Sequence, residues 1–207
     1  MLRDYQRWHE QYDDPESGIS WRLGVVRRLI AAHLDTHAGP QRVLSLCAGD
    51  GRDVIGVLRS RPDAARVSAT LVEMHPAIAE DARESAAGLD VEVRTADAGE
   101  IATFADIVPV DLLLLVGIFG NISTPDIEHT VRTAPALCRP GATVLWSRSR
   151  GREDLHDTIR GWWREAGCTE LDTASFDRDT HPAVGAVRVD APAREAPASG
   201  HLFTFVR

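Results

Sequence analysis

Blocks of hydrophobic and polar residues along the chain predict strands and helices that alternate in sequence. Short segments rich in apolar and β-branched residues, typical of strands, occupy residues 43–46, 67–72, 91–95, 111–116 and 143–147. Between them, apolar residues three and four positions apart predict helices over residues 52–60, 76–87, 125–137 and 154–166. From Val43 onward, this alternation predicts an α/β fold with a parallel sheet covered by helices on both faces.

The two ends of the chain depart from this alternation. Tyr5, Trp8 and Tyr12 lie on one face of a predicted helix over residues 2–12, which either packs on the sheet or forms a lid over an acceptor pocket. A second helix is predicted over residues 21–34. Residues 1–40 are therefore expected to form an N-terminal helical cap on a core of residues 43–207, within one domain of residues 1–207. Strand-like segments at 169–176 and 184–189 precede an alternating segment, 201–206, that is expected to close the sheet as its last strand.

Composition limits the class of protein and its location. A chain of 207 residues with 43% hydrophobic residues can bury the core of a single domain. The longest apolar run, residues 112–119, is far shorter than the ~20 residues of a membrane span, and no signal pattern opens the sequence. A soluble, cytoplasmic protein is expected. The three cysteines lie far apart in sequence, which indicates free thiols and no metal site.

Net charge and surface residues bear on the partners. The formal charge of −8 would repel nucleic acid and anionic membranes, because the arginines are mostly scattered along the sequence. A small-molecule substrate is expected instead. Trp162 and Trp163 are adjacent on one predicted helix and cannot both face the core. One of them is available to a neighbouring subunit, so a homodimer is one expectation.

The most informative stretch is residues 42–53, where a short strand leads into Gly49-Asp50-Gly51 and then into a helix. The two glycines allow a tight turn between strand and helix. The next strand ends on Glu73, about 20 residues later, where a carboxylate can accept hydrogen bonds from both ribose hydroxyls of an adenosine ligand. The spacing therefore predicts an adenosine-binding βαβ unit.

Two residue types that the sequence lacks at key positions indicate which adenosine cofactor it binds. A dinucleotide fingerprint places a third glycine where this chain has Val54, so NAD is disfavoured. The chain contains no lysine, since all 23 of its Lys/Arg residues are arginine. Phosphate-cradling P-loop chemistry and lysine Schiff-base chemistry are therefore excluded.

Taken in order, these segments resemble the class I S-adenosylmethionine-dependent methyltransferases. Residues 43–51 are similar to the family's first motif, Glu73 to its ribose-binding acid, residues 96–98 to the motif at the adenine edge, and residues 111–121 to the fourth motif, which borders cofactor and acceptor. Residues 137–142 resemble the turn before the fifth strand. Tyr-Asp-Asp-Pro-Glu-Ser and Phe-Gly-Asn-Ile-Ser are also similar to a group of poorly characterised bacterial methyltransferase-like proteins.

The resemblance implies a fold, a cofactor and a reaction. The fold is a Rossmann-like, mostly parallel seven-stranded sheet with helices on both faces and an antiparallel final strand. The cofactor is S-adenosyl-L-methionine, and the reaction is O- or N-methylation of a small molecule by in-line displacement on a positioned acceptor. The implied cofactor-binding residues are Cys47, Ala48, Gly49, Asp50, Gly51, Glu73, Met74, Asp97, Ala98 and Gly117.

Two positions depart from the family pattern. The family often has an acidic residue at the position of Ser45 and a glycine at that of Cys47. Asp50 and Asp53 are candidate substitutes for the missing carboxylate near the amino group of the cofactor. The departures keep open a non-catalytic role, in which a methyltransferase-like fold binds an adenosine ligand or a partner protein.

Three residues are candidates for positioning the acceptor. Asn121 follows the fourth strand, where its amide could orient a polar acceptor or stabilise a turn. Arg148, with Arg150 and Arg152, could clamp an anionic acceptor or lie in solvent. His156 could act as a general base, which arginine cannot do, or be an exposed helix histidine.

Overall fold

The computed structural model describes residue 14 and residues 16–151, 153–176 and 182–206. The five α-helices of these segments are α1 (Gly18–Thr36), α2 (Val54–Arg59), α3 (Pro76–Ser85), α4 (Thr124–Thr133) and α5 (His156–Glu165). The strands are β1 (Gln41–Leu46), β2 (Val67–Glu73), β3 (Val91–Thr95), β4 (Val110–Leu115), β5 (Cys138–Ser149), β6 (Cys168–Ser175) and β7 (Pro182–Val189). No helix within the described segments is long and apolar enough to cross a membrane.

The seven strands form one sheet in the order β3-β2-β1-β4-β5-β7-β6. The first five strands are parallel, and β7 runs antiparallel between β5 and β6. The chain builds outward from β1 to β3 and then returns to place β4 on the other side of β1. The connections leaving β1 and β4 therefore diverge at the carboxyl edge of the sheet, and open α/β sheets bind ligands at such a point.

Two apolar layers cover the sheet. One contains α4, α5 and the C-terminal segment, and the other contains α1 and α2. Alternate residues of the central strands supply both layers: Leu44 and Leu46 belong to the first and Val43 to the second. Burial on both faces explains why residues 112–115 of β4 are a continuous apolar run and not an alternating one.

Local signals in the sequence explain where the helices begin and end. The Ser17 hydroxyl accepts a hydrogen bond from the Ser20 N–H at the start of α1, and the Ser123 hydroxyl accepts one from the Asp126 N–H at the start of α4. The predicted α/β alternation is confirmed, with boundaries within a few residues of those expected. The C-terminal third of the helix predicted over 125–137 is a short 3-10 helix, Ala134–Leu137. The helix predicted over residues 2–12 lies outside the described residues.

The prediction that residues 201–206 form the last strand is wrong. The antiparallel final strand exists, but it is β7. Leu202 and Phe203 are consecutive and both buried, so the segment does not present alternate residues to one face. It makes only isolated bridges, from His201 to Glu100 and from Phe205 to Ile122.

A buried histidine joins α1 to the amino edge of the sheet. The His33 nitrogens lie 2.9 Å from Thr143 Oγ1 on β5 and 2.9 Å from Gln41 Oε1 on β1. Because the Gln41 oxygen can only accept, Nε2 carries the proton, and Nδ1 of the neutral ring can accept from the Thr143 hydroxyl. Burial lowers the pKa of His33 from 6.5 to about 4.

This lowered pKa predicts a loss of stability in mild acid. In the unfolded chain His33 takes up a proton near pH 6.5, whereas in the folded chain it does so only near pH 4. The free energy of unfolding therefore falls as the pH falls through this window. His33 alone should remove about 2 kcal/mol between pH 7 and pH 5. Urea unfolding at both pH values measures the loss, and His33→Gln should reduce it while lowering stability at pH 7. An unchanged pH dependence in His33→Gln would contradict the assignment.

Candidate functional site

The turn between β1 and α2 uses left-handed backbone three times in five residues. The φ angles are 55° at Cys47, 58° at Gly49 and 68° at Gly51. A Cβ at Gly51 would lie 2.6 Å from Leu71 Cδ1 and 2.7 Å from Ile55 Cδ1, so this glycine packs inward against the strand and helix. A Cβ at Gly49 would meet no atom within 4 Å. Gly49 therefore presents open space at the carboxyl edge.

The Glu73 carboxylate fixes this turn to the end of β2. Its Oε2 accepts a hydrogen bond from the Gly49 N–H at 3.0 Å, and its Oε1 accepts one from the His75 N–H at 2.8 Å. Each carboxylate oxygen keeps a further lone pair, so the group can still accept bonds from two hydroxyls. Glu73 lies where the sequence places the ribose-binding acid.

The end of β3 lies beside Glu73. The Ala96 N–H donates to the Glu73 carbonyl at 3.2 Å, and Asp97 Oδ1 accepts from the Gly99 N–H at 2.8 Å. Ala98 is buried, whereas the Met74 side chain is 63% exposed. The exposed thioether of Met74 directly follows Glu73 in sequence and offers an apolar surface at this edge.

The acidic residues of the turn itself are already engaged. The Arg52 guanidinium holds the Asp50 carboxylate, with Nε 2.9 Å from Oδ1 and 2.8 Å from Oδ2. Asp53 lies at the start of α2, where its Oδ1 accepts from the Val54 N–H at 2.7 Å. Burial raises the pKa of Asp53, and the bond from Val54 partly offsets the effect. Of the two candidate substitutes for a missing acid, Asp50 is paired with Arg52 and Asp53 caps a helix.

The Cys47 thiol lies near two of the predicted site carboxylates. Burial raises the pKa of Cys47 above its ordinary range, and the negative charges of Glu73 and Asp97 raise it further. The thiol is therefore neutral at physiological pH and is a poor nucleophile. Its contribution to the site is shape and apolar surface.

Three side-chain bonds hold the loop that follows β4. The Gly117 N–H donates to Ser147 Oγ at 2.9 Å, and the Asn121 side-chain amide donates to the Gly117 carbonyl at 2.8 Å. Arg148 Nη1 donates to the Phe119 carbonyl. Gly117 has a left-handed φ of 79°, which a glycine adopts without strain. The loop at this edge is therefore fixed by β5 and by its own asparagine.

Two of the three predicted acceptor residues fasten this loop. The side-chain nitrogen of Asn121 stabilises the turn, which is one of the two alternatives that the sequence left open for this residue. Arg148 is mostly buried, and its Nη2 also lies 3.6 Å from Glu153. Arg150 pairs with Asp154, and Arg152 lies outside the described residues.

His156 is in the core. It is 6% exposed, so the alternative of an exposed helix histidine is wrong. Its ring centroid lies 4.7 Å from that of Trp146, and its Nε2 has no hydrogen-bond partner within the described part of the chain. Burial lowers the pKa of His156, which keeps the ring neutral. Tyr5 and Tyr12, the proposed lid residues, lie outside the described residues.

Two features of this edge escaped the sequence reasoning. Arg22 on α1 brings a guanidinium nitrogen to 3.9 Å from the position that a Cβ of Gly117 would take. Ser147 is a buried hydroxyl within β5, directly after a run of apolar residues. A polar residue inside an apolar strand was a usable signal for Ser147, but no local pattern marks Arg22, since helix surfaces commonly carry arginine.

Comparison with known proteins identifies the fold. No protein-family model and no curated protein sequence matches the chain. Among solved structures, magnesium protoporphyrin IX methyltransferase from Synechocystis PCC 6803, with bound SAH, superposes with a TM-score of 0.67 at 12% identity, over 89% of this chain and 93% of that one. A TehB-like SAM-dependent methyltransferase from Corynebacterium glutamicum gives a TM-score of 0.62 at 12% identity, over 89% and 95%.

A third similar structure contains two bound small molecules. The 1,6-didemethyltoxoflavin-N1-methyltransferase of Burkholderia thailandensis, with bound 1,6-didemethyltoxoflavin and S-adenosylhomocysteine, gives a TM-score of 0.59 at 19% identity, over 90% of this chain and 87% of that one. Identities this low compare architecture and not individual residues. The strand order and the superpositions agree, and the chain has the class I fold of the S-adenosylmethionine-dependent methyltransferases.

Proposed function

We propose that this protein binds S-adenosylmethionine and transfers its methyl group to a small-molecule acceptor. The observation that carries the proposal is the Glu73 carboxylate, held by two backbone N–H groups beside the open face of Gly49. A carboxylate prepared in this way suits the two hydroxyls of a ribose, and the space at Gly49 admits a ligand close to the backbone.

The remaining residues of the edge fit the rest of such a ligand. Asp97, Ala98 and the exposed Met74 provide a polar and apolar boundary for an adenine ring. Arg22, close to Gly117, supplies a cation for the carboxylate of the methionine part. Proteins of the same fold that were solved with bound SAH or S-adenosylhomocysteine support a ligand of this kind.

The bound sulfonium would supply an activated methyl group, so the chain's own residues have mainly to position the acceptor. Asn121 and Arg148 contribute by fixing the loop that borders the acceptor side, through Gly117 and Phe119. His156 is neutral and buried against Trp146, where it shapes the wall behind this loop. The net charge of −8 disfavours an anionic acceptor, so a neutral small molecule is the better fit. O- and N-methylation both remain within the proposal.

Removal of the Glu73 charge should weaken cofactor binding. Glu73→Gln keeps the size of the side chain but replaces one acceptor oxygen with a donor nitrogen, so we expect the affinity for S-adenosylmethionine to fall by about ten- to a hundredfold. Isothermal titration calorimetry measures the affinity. Glu84→Gln, on the exposed surface of α3, is the matched control and should bind like wild type.

Release of S-adenosylhomocysteine in the presence of a panel of phenols, carboxylates, amines and heterocycles then tests catalysis. Absence of binding by the wild-type protein would overturn the proposal. Binding without methyl transfer to any member of the panel would instead favour the non-catalytic role.

The two glycines of the turn should respond differently to alanine. Gly49→Ala places a methyl group in open space with a left-handed φ, so we expect a loss of only about 1–2 kcal/mol in unfolding free energy but at least about tenfold weaker cofactor binding. Gly51→Ala adds a clash with Leu71 and Ile55, and should cost about 3 kcal/mol. Urea unfolding and calorimetry on both variants separate the effects. Equal stability losses would contradict the inward packing of Gly51.

A further inference from the structure

The segment of residues 200–206 is bonded to the loop that follows β3. The Leu202 N–H donates to the Gly99 carbonyl at 2.7 Å, and the Ile101 N–H donates to the Gly200 carbonyl at 3.0 Å. The Gly99 N–H is in turn bound by the Asp97 carboxylate. This end of the segment therefore lies one bond away from the proposed adenine-binding residues.

The other end of the same segment is bonded to the loop that follows β4. The Val206 N–H donates to the Asn121 carbonyl at 2.9 Å, and Phe205 forms a bridge with Ile122. Asn121 is the residue whose side chain closes the turn on Gly117. One short segment thus connects the two loops that flank the proposed cofactor site.

The connection has little freedom to move. Leu202 and Phe203 are each 1% exposed, and the Thr130 hydroxyl of α4 donates to the Leu202 carbonyl at 3.0 Å. A Cβ at Gly99 would lie 2.3 Å from the Phe203 carbonyl oxygen, so only a glycine allows the two backbones to approach this closely. The buried side chains anchor the segment, and its backbone fixes the loops.

We propose that residues 200–206 form a strap that positions the adenine side of the cofactor site, acting through Gly99 and Asn121. The inference rests on the proposed cofactor and extends it, because none of the strap residues belongs to the site motifs. The strap residues act as positioning residues. They set the separation of the 97–99 and 117–121 loops before any ligand binds, which lowers the cost of ordering these loops on binding.

The test compares two buried leucines with similar exposure. Leu202→Ala loosens the strap, whereas Leu34→Ala empties a similar volume at the C-terminal end of α1, at the opposite edge of the sheet. Calorimetry with S-adenosylhomocysteine and with adenosine is carried out at a temperature at which circular dichroism shows each variant to be folded. We expect Leu202→Ala to weaken both ligands by the same factor of about ten or more, and Leu34→Ala by less than about twofold.

Hydrogen exchange gives a second measurement, and a purely structural role of the strap would not predict the changes in exchange described next. In Leu202→Ala, but not in Leu34→Ala, the amides of 97–101 and 117–122 should exchange faster. In the wild-type protein, bound S-adenosylhomocysteine should slow exchange at the Leu202 and Val206 N–H groups. This measurement remains decisive if Leu202→Ala does not fold, and Gly99→Ala, which forces the strap away, provides a second variant.

The outcomes separate the two proposals. Suppose that the wild-type protein binds S-adenosylhomocysteine. If a folded Leu202→Ala variant binds it equally well, or loses affinity for it but not for adenosine, the strap proposal is overturned. The cofactor proposal stands in both cases. Unchanged exchange at Leu202 and Val206 on ligand binding would also overturn the strap. If the wild-type protein binds neither ligand, the proposed function fails.

Discussion

The hydrogen bond from the Gly49 N–H to the Glu73 carboxylate is the interaction on which the geometry of the carboxyl edge depends. The chain leaving β1 must turn sharply to enter α2, and a left-handed turn directs backbone N–H groups outward. The neighbouring strand β2 ends beside this turn, so its last residue, Glu73, supplies the hydrogen-bond acceptor. Because the same carboxylate also accepts from the His75 N–H, its rotamer is fixed and its remaining lone pairs face a defined direction. The proposed ribose contact is therefore organised by the fold before a ligand is present.

A second constraint acts on the loop after β4. Loops at the edge of a sheet are commonly mobile, because their backbone groups bond to water. In this loop, the N–H of Gly117 is bound by Ser147 and its carbonyl by Asn121, while Arg148 holds the Phe119 carbonyl. These bonds come from residues of β5 and from the loop itself. The loop thus takes its position from the order of the strands, since β5 lies next to β4 in the sheet.

The sequence predicted the elements of the sheet because apolar periodicity is a local property. Glu73 was also predictable, since its position depends on the length of one βαβ unit. The bonds of Asn121 and Arg148 were not, because each joins residues whose proximity arises only from the fold. One of the two alternatives for His156 placed it at the surface, but the start of α5 turns its ring onto Trp146, a contact that only the fold creates. The strand prediction for residues 201–206 was wrong because their apparent alternation of polar and apolar residues hides two consecutive buried residues, Leu202 and Phe203.

The departures from the family pattern at Ser45 and Cys47 have different physical consequences. Ser45 is buried within β1, so the strand itself brings no charge to the turn, and the carboxyl group at the far end of the turn is that of Asp53. Cys47 adopts a left-handed conformation that costs a non-glycine residue about 1–2 kcal/mol, a cost that a glycine at this position would avoid. The backbone tolerates this cost because the Ala48 N–H is bonded to the Val72 carbonyl and the Gly51 N–H to the Ala48 carbonyl, and these bonds hold the turn on either side. The cysteine therefore costs some stability and places a neutral, polarizable surface near Glu73 and Asp97.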